Sequence, residues 1–101
     1  MNPRASANRL IWNERALADR EAILEFIARD NPLAALELDE HFETEAELAR
    51  RNPLLYRPGR RRGTRELVAH PNYVMVYRST KKAGGYIVEM LRVLHAAQRW
   101  P

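Results

Sequence analysis

The stretch Arg57-Pro-Gly-Arg-Arg-Arg-Gly-Thr-Arg65 sets Arg57, Arg60, Arg61, Arg62 and Arg65 among two glycines and a proline. Guanidinium groups hold phosphates and carboxylates through paired N–H donors, so a cluster this dense suits a polyanion. Two kinds of partner fit it equally: a nucleic-acid backbone and an acidic protein segment. It is not a P-loop. Its glycines have the wrong spacing, and no Lys-Ser/Thr pair follows.

A second group closes the chain, where Met-Leu-Arg-Val-Leu-His-Ala-Ala-Gln-Arg-Trp-Pro carries Arg92, His95, Arg99 and Trp100. Imidazole exchanges a proton near neutral pH, which makes His95 the acid–base candidate. His70 lies in His-Pro-Asn and reads as a turn residue, and His41 reads as a surface residue on an acidic helix. Arg65 and Arg92 fall within strands, where a side chain projects from a fixed platform. The competing reading makes them rim arginines paired with Glu66 or Glu89. Among the aromatic residues, Tyr73 and Tyr77 read as core, while Trp100 is open to stacking on a base. The histidines are scattered and cysteine is missing, so no metal site or other cofactor is expected.

Charge is divided unevenly along the 101 residues. Residues 1–47 hold five arginines against eleven carboxylates, a net of −6. Residues 48–101 hold twelve cations against two glutamates, a net of +10. A basic half of that strength points to an acidic partner or target. The length fits one domain, 1–101, with a modest core. No apolar run is long enough for a membrane span, and the N-terminus has no apolar signal core. A cytoplasmic protein is the expectation.

The elements that must position these groups follow from pattern. Asn8–Trp12 is short and apolar and reads as a strand. Asn13 caps a helix from Glu14 to about Arg29, with Ala16, Ile23, Leu24 and Ile27 as its buried stripe. Asn31 and Pro32 start a second helix, from about Leu33 to Arg51. Its buried face is Ala35, Leu38, Phe42, Ala46 and Ala49. The acidic residues fall mostly on the outer faces of this pair. Arg50 and Arg51 suit the C-terminal end of its dipole. Strands are then expected over Thr64–Ala69, Tyr73–Arg78 and Tyr86–Val93, with Ser79–Gly85 as an exposed hairpin loop. The whole is an α+β domain in the order β-α-α-β-β-β. A helical hairpin packs on one face of a mostly antiparallel, about four-stranded sheet.

Three blocks also carry a family resemblance: Asn-Pro-Leu-Ala-Ala-Leu-Glu-Leu-Asp-Glu-His-Phe from Asn31, the run from Arg57 to Arg78, and Val-Glu-Met-Leu-Arg-Val-Leu-His to the end. In this order they resemble the RelE/ParE superfamily of toxins from bacterial type II toxin–antitoxin modules, including plasmid-stabilisation systems. The resemblance implies a cognate antitoxin protein as partner. It also implies one of two activities. The first is ribosome-dependent, metal-independent mRNA cleavage, in which Arg65 and Arg92 hold the scissile phosphate and His95 moves the proton. The second is non-enzymatic inhibition of DNA gyrase. Arg57, Arg60, Arg61, Arg62, Arg78, Arg99 and Trp100 would contact nucleic acid or antitoxin. The nuclease reading sets a geometric condition. Three residues apart on an unbroken strand, Arg92 and His95 face opposite sides, so they meet only if the chain bends after Val93.

Overall fold

A computed structural model describes residues 7–98. The elements are β1 (Arg9–Trp12), α1 (Glu14–Ala28), α2 (Pro32–Arg51), β2 (Arg57–Pro58), β3 (Arg65–His70), β4 (Tyr73–Lys82) and β5 (Gly85–His95). They form one sheet in the order β1-β5-β4-β3-β2. β1 runs parallel to β5, and all other neighbours are antiparallel. This is the expected α+β architecture, with a fifth strand in addition. That strand, β2, is two residues long and pairs Arg57 with Glu66 and Pro58 with Arg65. An Arg-Pro pair has no alternation to betray it as a strand.

The helix starts are set by side chains. Asn13 Oδ1 accepts the Ala16 N–H at 2.9 Å. Asn31 Oδ1 accepts the Ala34 N–H at 3.0 Å, with Pro32 in the first turn. Each asparagine satisfies a donor that the first helical turn leaves without a partner. α2 buries Ala35, Phe42, Ala46 and Ala49, the stripe its spacing predicts. Phe42 meets the edge of Tyr73 at 5.7 Å. From the sheet, Leu67, Ala69, Tyr73, Met75, Tyr77, Val88, Met90 and Val93 complete this core.

α1 departs from expectation. Its buried positions are Ala16 and Arg20, while Ile23 is only partly covered. The Arg20 guanidinium donates to Asp39 at 3.0 and 2.9 Å and to Glu43 at 2.9 Å. It also lies 4.4 Å from the ring centre of Trp12. Two of the carboxylates expected on the outer helix faces thus turn inward to hold one arginine between β1, α1 and α2. The attraction of both carboxylates outweighs the cost of burial and holds the Arg20 pKa above its ordinary value.

β4 and β5 are longer than their apolar stretches. Ser79, Thr80, Lys81 and Lys82 continue β4 rather than forming a loop, and the hairpin turns through Ala83 and Gly84. Gly84 has φ +80°, a conformation that glycine adopts at little cost. At Gly85 the constraint is space. A Cβ there would sit 2.9 Å from the Ala7 carbonyl oxygen and 2.8 Å from Asn8 Oδ1. Among the described residues, no helix is long and apolar enough to cross a membrane.

Candidate functional site

The face of the sheet away from the helices carries a groove of about 220 Å³. Val68, Val74, Val76 and Leu94 form its floor, and Arg57, Arg60, Glu66 and His95 stand among its walls. Val74 pairs with both Val68 and Leu94 across three strands, so the apolar floor crosses the sheet. Val76 and Leu94 are buried although they lie outside the helix-side core. The turn after β2 and the segment after β5 contribute Arg60, Ala96 and Gln98 to the walls.

The arginine stretch is an organised turn. The Gly59 N–H donates to the Thr64 carbonyl at 2.8 Å, and the Thr64 N–H donates to the Arg61 carbonyl at 3.1 Å. A Cβ at Gly59 would stand 2.2 Å from Thr64 Oγ1, so the close approach requires glycine. Gly63 turns the chain at φ +79°. Glu66 fastens the turn to β3. It accepts the Arg60 N–H at 3.0 Å and an Arg57 guanidinium N–H at 3.3 Å. At 9% exposure the carboxylate requires such partners. Arg57, Arg60, Arg61 and Arg62 all face solvent around this anchor.

Arg65 is placed elsewhere. It opens β3 opposite Tyr77, and its Nη1 donates to the Tyr56 carbonyl at 2.7 Å and the Leu54 carbonyl at 3.3 Å. The Tyr77 hydroxyl donates to the Pro53 carbonyl at 2.8 Å. Together these two side chains fix the turn that follows α2. Burial pushes the Tyr77 phenol up to about 12, against the opposing pull of the Arg65 charge. Glu66, one partner the sequence offers Arg65, is taken by Arg57 and the Arg60 amide.

Arg92 turns toward α1. Its Nε and Nη2 donate to the two oxygens of Asp19 at 2.8 and 3.0 Å. Asp19 also accepts the Val93 N–H at 2.8 Å. β1 covers β5 only as far as Met90, where the Asn13 N–H reaches the Met90 carbonyl at 3.1 Å. Past that point Asp19 serves the open strand edge. This ion pair holds the Arg92 pKa above its ordinary value. A register shift places Leu91 as a bulge between Met90, opposite Tyr77, and Arg92, opposite Val76. The irregularity therefore precedes Arg92, and β5 continues through Leu94 to His95. The bend after Val93 that would bring Arg92 and His95 together does not occur.

His95 alone of the three proposed catalytic residues lines the groove. The Ala97 N–H donates to its Nδ1 at 3.1 Å, and its ring meets Tyr73 at 5.5 Å, edge to face. Accepting at Nδ1 fixes the neutral ring with its proton on Nε2. Nε2 is then a hydrogen-bond donor. His70 is held the same way, accepting the Asn72 N–H at 3.0 Å, which is the turn role its sequence suggests. His41 departs from a plain surface role, since its Nε2 meets the Ala69 carbonyl. Arg78 is exposed on β4 and does not line the groove. Arg99 and Trp100 lie outside the described residues. In the sequence Glu66 stands only as a possible partner for an arginine. Its role as anchor of the turn depends on the β2–β3 pairing, which has no sequence signal.

The model of the family described as "ParE toxin of type II toxin-antitoxin system, parDE" matches residues 10–100. Y4kP of Sinorhizobium fredii, a toxin by name, is 37% identical over 97 residues, spanning 95% of this chain and 96% of its own. A solved structure of the chromosomal ParDE system from P. aeruginosa superposes with a TM-score of 0.76 at 22% identity. It covers 87% of this chain and 95% of that one. A YoeB/ParE toxin from Agrobacterium tumefaciens superposes with a TM-score of 0.63 at 17% identity, covering 86% and 97%. At those identities the two structures speak to the fold alone. The family match and the Y4kP relationship go further: the chain belongs to the ParE toxin family of the RelE/ParE superfamily.

Proposed function

We propose that this protein arrests growth by binding DNA gyrase, without bond-making chemistry of its own, and that a cognate antitoxin neutralises it. The observation that carries this reading is the dispersal of Arg65, Arg92 and His95. Arg65 is bonded to backbone carbonyls below the sheet, Arg92 to Asp19 at its edge, and His95 stands on the open-face groove. Stabilising a pentavalent phosphate calls for cations aimed at one point, and these two arginines are aimed at separate internal partners. The His95 ring leans on Tyr73, its cross-strand partner, and its Nδ1 lone pair already accepts the Ala97 N–H.

The antitoxin partner is supported by the family itself and by the basic second half of the chain, which suits an acidic segment. One observation favours mRNA cleavage as a second reading: Arg57, Arg60, Glu66 and His95 do line a single groove. Induction in cells without antitoxin separates the two. Gyrase binding predicts broken or unsegregated chromosomes with ribosomes moving normally. Ribosomes stalled on cut messages, with intact DNA, would overturn it.

A further inference from the structure

The chain's three histidines, far apart in the sequence, meet at one end of the sheet. His70 closes β3 and His95 closes β5, and both pair with Tyr73 at the start of β4, one from each side. Their rings lie 5.8 and 5.5 Å from the ring of Tyr73. His41 arrives from α2 and donates through Nε2 to the Ala69 carbonyl.

His70 and His95 use one device in two turns. Each offers its Nδ1 lone pair to the backbone N–H two residues on, from Asn72 at 3.0 Å and from Ala97 at 3.1 Å. The turns are tied to each other, since the Ala96 N–H donates to the Asn72 carbonyl at 2.7 Å. Gln98 completes the second turn. Its Oε1 accepts the His95 N–H at 2.6 Å, and its own N–H donates to the His95 carbonyl at 2.8 Å. Pro71, His95, Ala96 and Gln98 from these turns line the open-face groove. One wall of the groove therefore stands on bonds that a neutral imidazole accepts and a charged one cannot.

We propose that His70 and His95 act as a proton-operated latch on this wall, holding it while both rings are neutral and releasing it when they are charged. A proton at Nδ1 replaces the lone pair with an N–H. That N–H then faces the Asn72 or Ala97 N–H, donor against donor. Imidazole takes up this proton between neutral pH and mild acid. Neither ring is fully buried, so the proton can arrive without unfolding. The titratable and charged groups around the latch are few. The Tyr73 phenol stands between the two rings, and Arg57, Arg60 and Glu66 line the groove with His95. Glu66 already accepts from Arg57 and from the Arg60 amide. Among the described residues, the histidine ion-paired with a carboxylate is His41, whose Nε2 meets Glu45 at 3.6 Å. His41 supplies the contrast, because it donates to Ala69 and a further proton on its Nδ1 leaves that bond intact. The latch belongs to the groove wall and does not depend on which cellular target the toxin binds.

The test follows the full chain by NMR at about pH 7.5 and about pH 5.5, on either side of the imidazole transition. Exchange rates are taken relative to those of unstructured peptides at the same pH. Protection of the Asn72, Ala96 and Ala97 amides should fall roughly tenfold in acid, while amides in the middle of β4 keep theirs. The shifts of the Asn72 and Ala97 amides should follow the titration of the His70 and His95 rings. Asparagine accepts the same bond from two residues on through a side-chain oxygen that does not titrate in this range. The double variant His70→Asn/His95→Asn, with an unchanged circular dichroism spectrum, should therefore keep its protection at both pH values. Equal protection of the parent at both values would overturn the proposal. So would turn amides that do not follow the two rings, or a loss in the double variant as large as in the parent.

Discussion

Asp19 and Arg92, 73 residues apart, form a two-pronged ion pair in which Asp19 also accepts the Val93 amide at the open edge of β5. One carboxylate thus neutralises a half-buried cation and closes a strand edge. This relationship removes Arg92 from the open face and assigns it to the joint between α1 and the sheet.

Asp19→Ala should therefore destabilise the fold by about 3 kcal/mol, because it removes both oxygens that hold the Arg92 guanidinium and the acceptor of the Val93 amide. Arg92→Ala should cost less, since Asp19 keeps the Val93 amide. Urea unfolding of both single variants and the double variant measures this. A double variant no less stable than Asp19→Ala is expected, and additive losses would count against the pairing.

Arg20 makes a stronger case. Arg20→Ala strands Asp39 and uncovers Trp12, with an expected loss of about 3–5 kcal/mol. Arg20→Met keeps the packing over Trp12 and should lose less. The midpoint of thermal unfolding gives the order of the two variants.

Tyr77 gives the fold an alkaline limit. Its phenol titrates near 10 in the unfolded chain and at about 12 in the folded one. Between those values the unfolded chain has released the proton and the native chain has not. Stability therefore falls as pH rises from 10 to 12, by up to about 3 kcal/mol from this group. Tyr77→Phe should be less stable at pH 8, having lost its bond to Pro53, and should show a shallower fall above pH 10. Urea midpoints across that range provide the check.

Glu66 holds the arginine turn from beneath. Glu66→Ala frees the Arg60 amide and the Arg57 guanidinium, so hydrogen exchange at Arg60 should quicken roughly tenfold. Glu66→Gln retains an acceptor for the Arg60 N–H and should exchange nearly as slowly as the parent. Equal exchange in all three proteins would mean that the turn holds itself through Gly59 and Thr64 alone.

What the sequence revealed divides by distance along the chain. The asparagine caps, the α2 stripe and the buried β4 are local patterns, and each is legible within one element. The resemblance carried the family. The site was harder to read, because its pairings are long-range. Arg65 and Arg92 were recognised as strand arginines, yet their direction depends on Tyr56 and Asp19, and strand alternation cannot name either. The Leu91 bulge breaks the alternation of β5 ahead of Arg92, and no local pattern announces it. Arg20 has no local signal of burial, because Asp39, Glu43 and Trp12 come around it only in the fold. The continuation of β4 through Ser79–Lys82 was hidden by polar residues, which an edge strand tolerates and a central strand does not.

The proposed mode of action is binding rather than cutting. It is tested most directly with purified toxin in two parallel reactions, gyrase supercoiling and mRNA on programmed ribosomes, each with the parent and His95→Ala. Both proteins are expected to inhibit supercoiling at micromolar concentration and to leave the message whole. Cleavage of the message by the parent, lost in a folded His95→Ala, with supercoiling untouched by either protein, would contradict it.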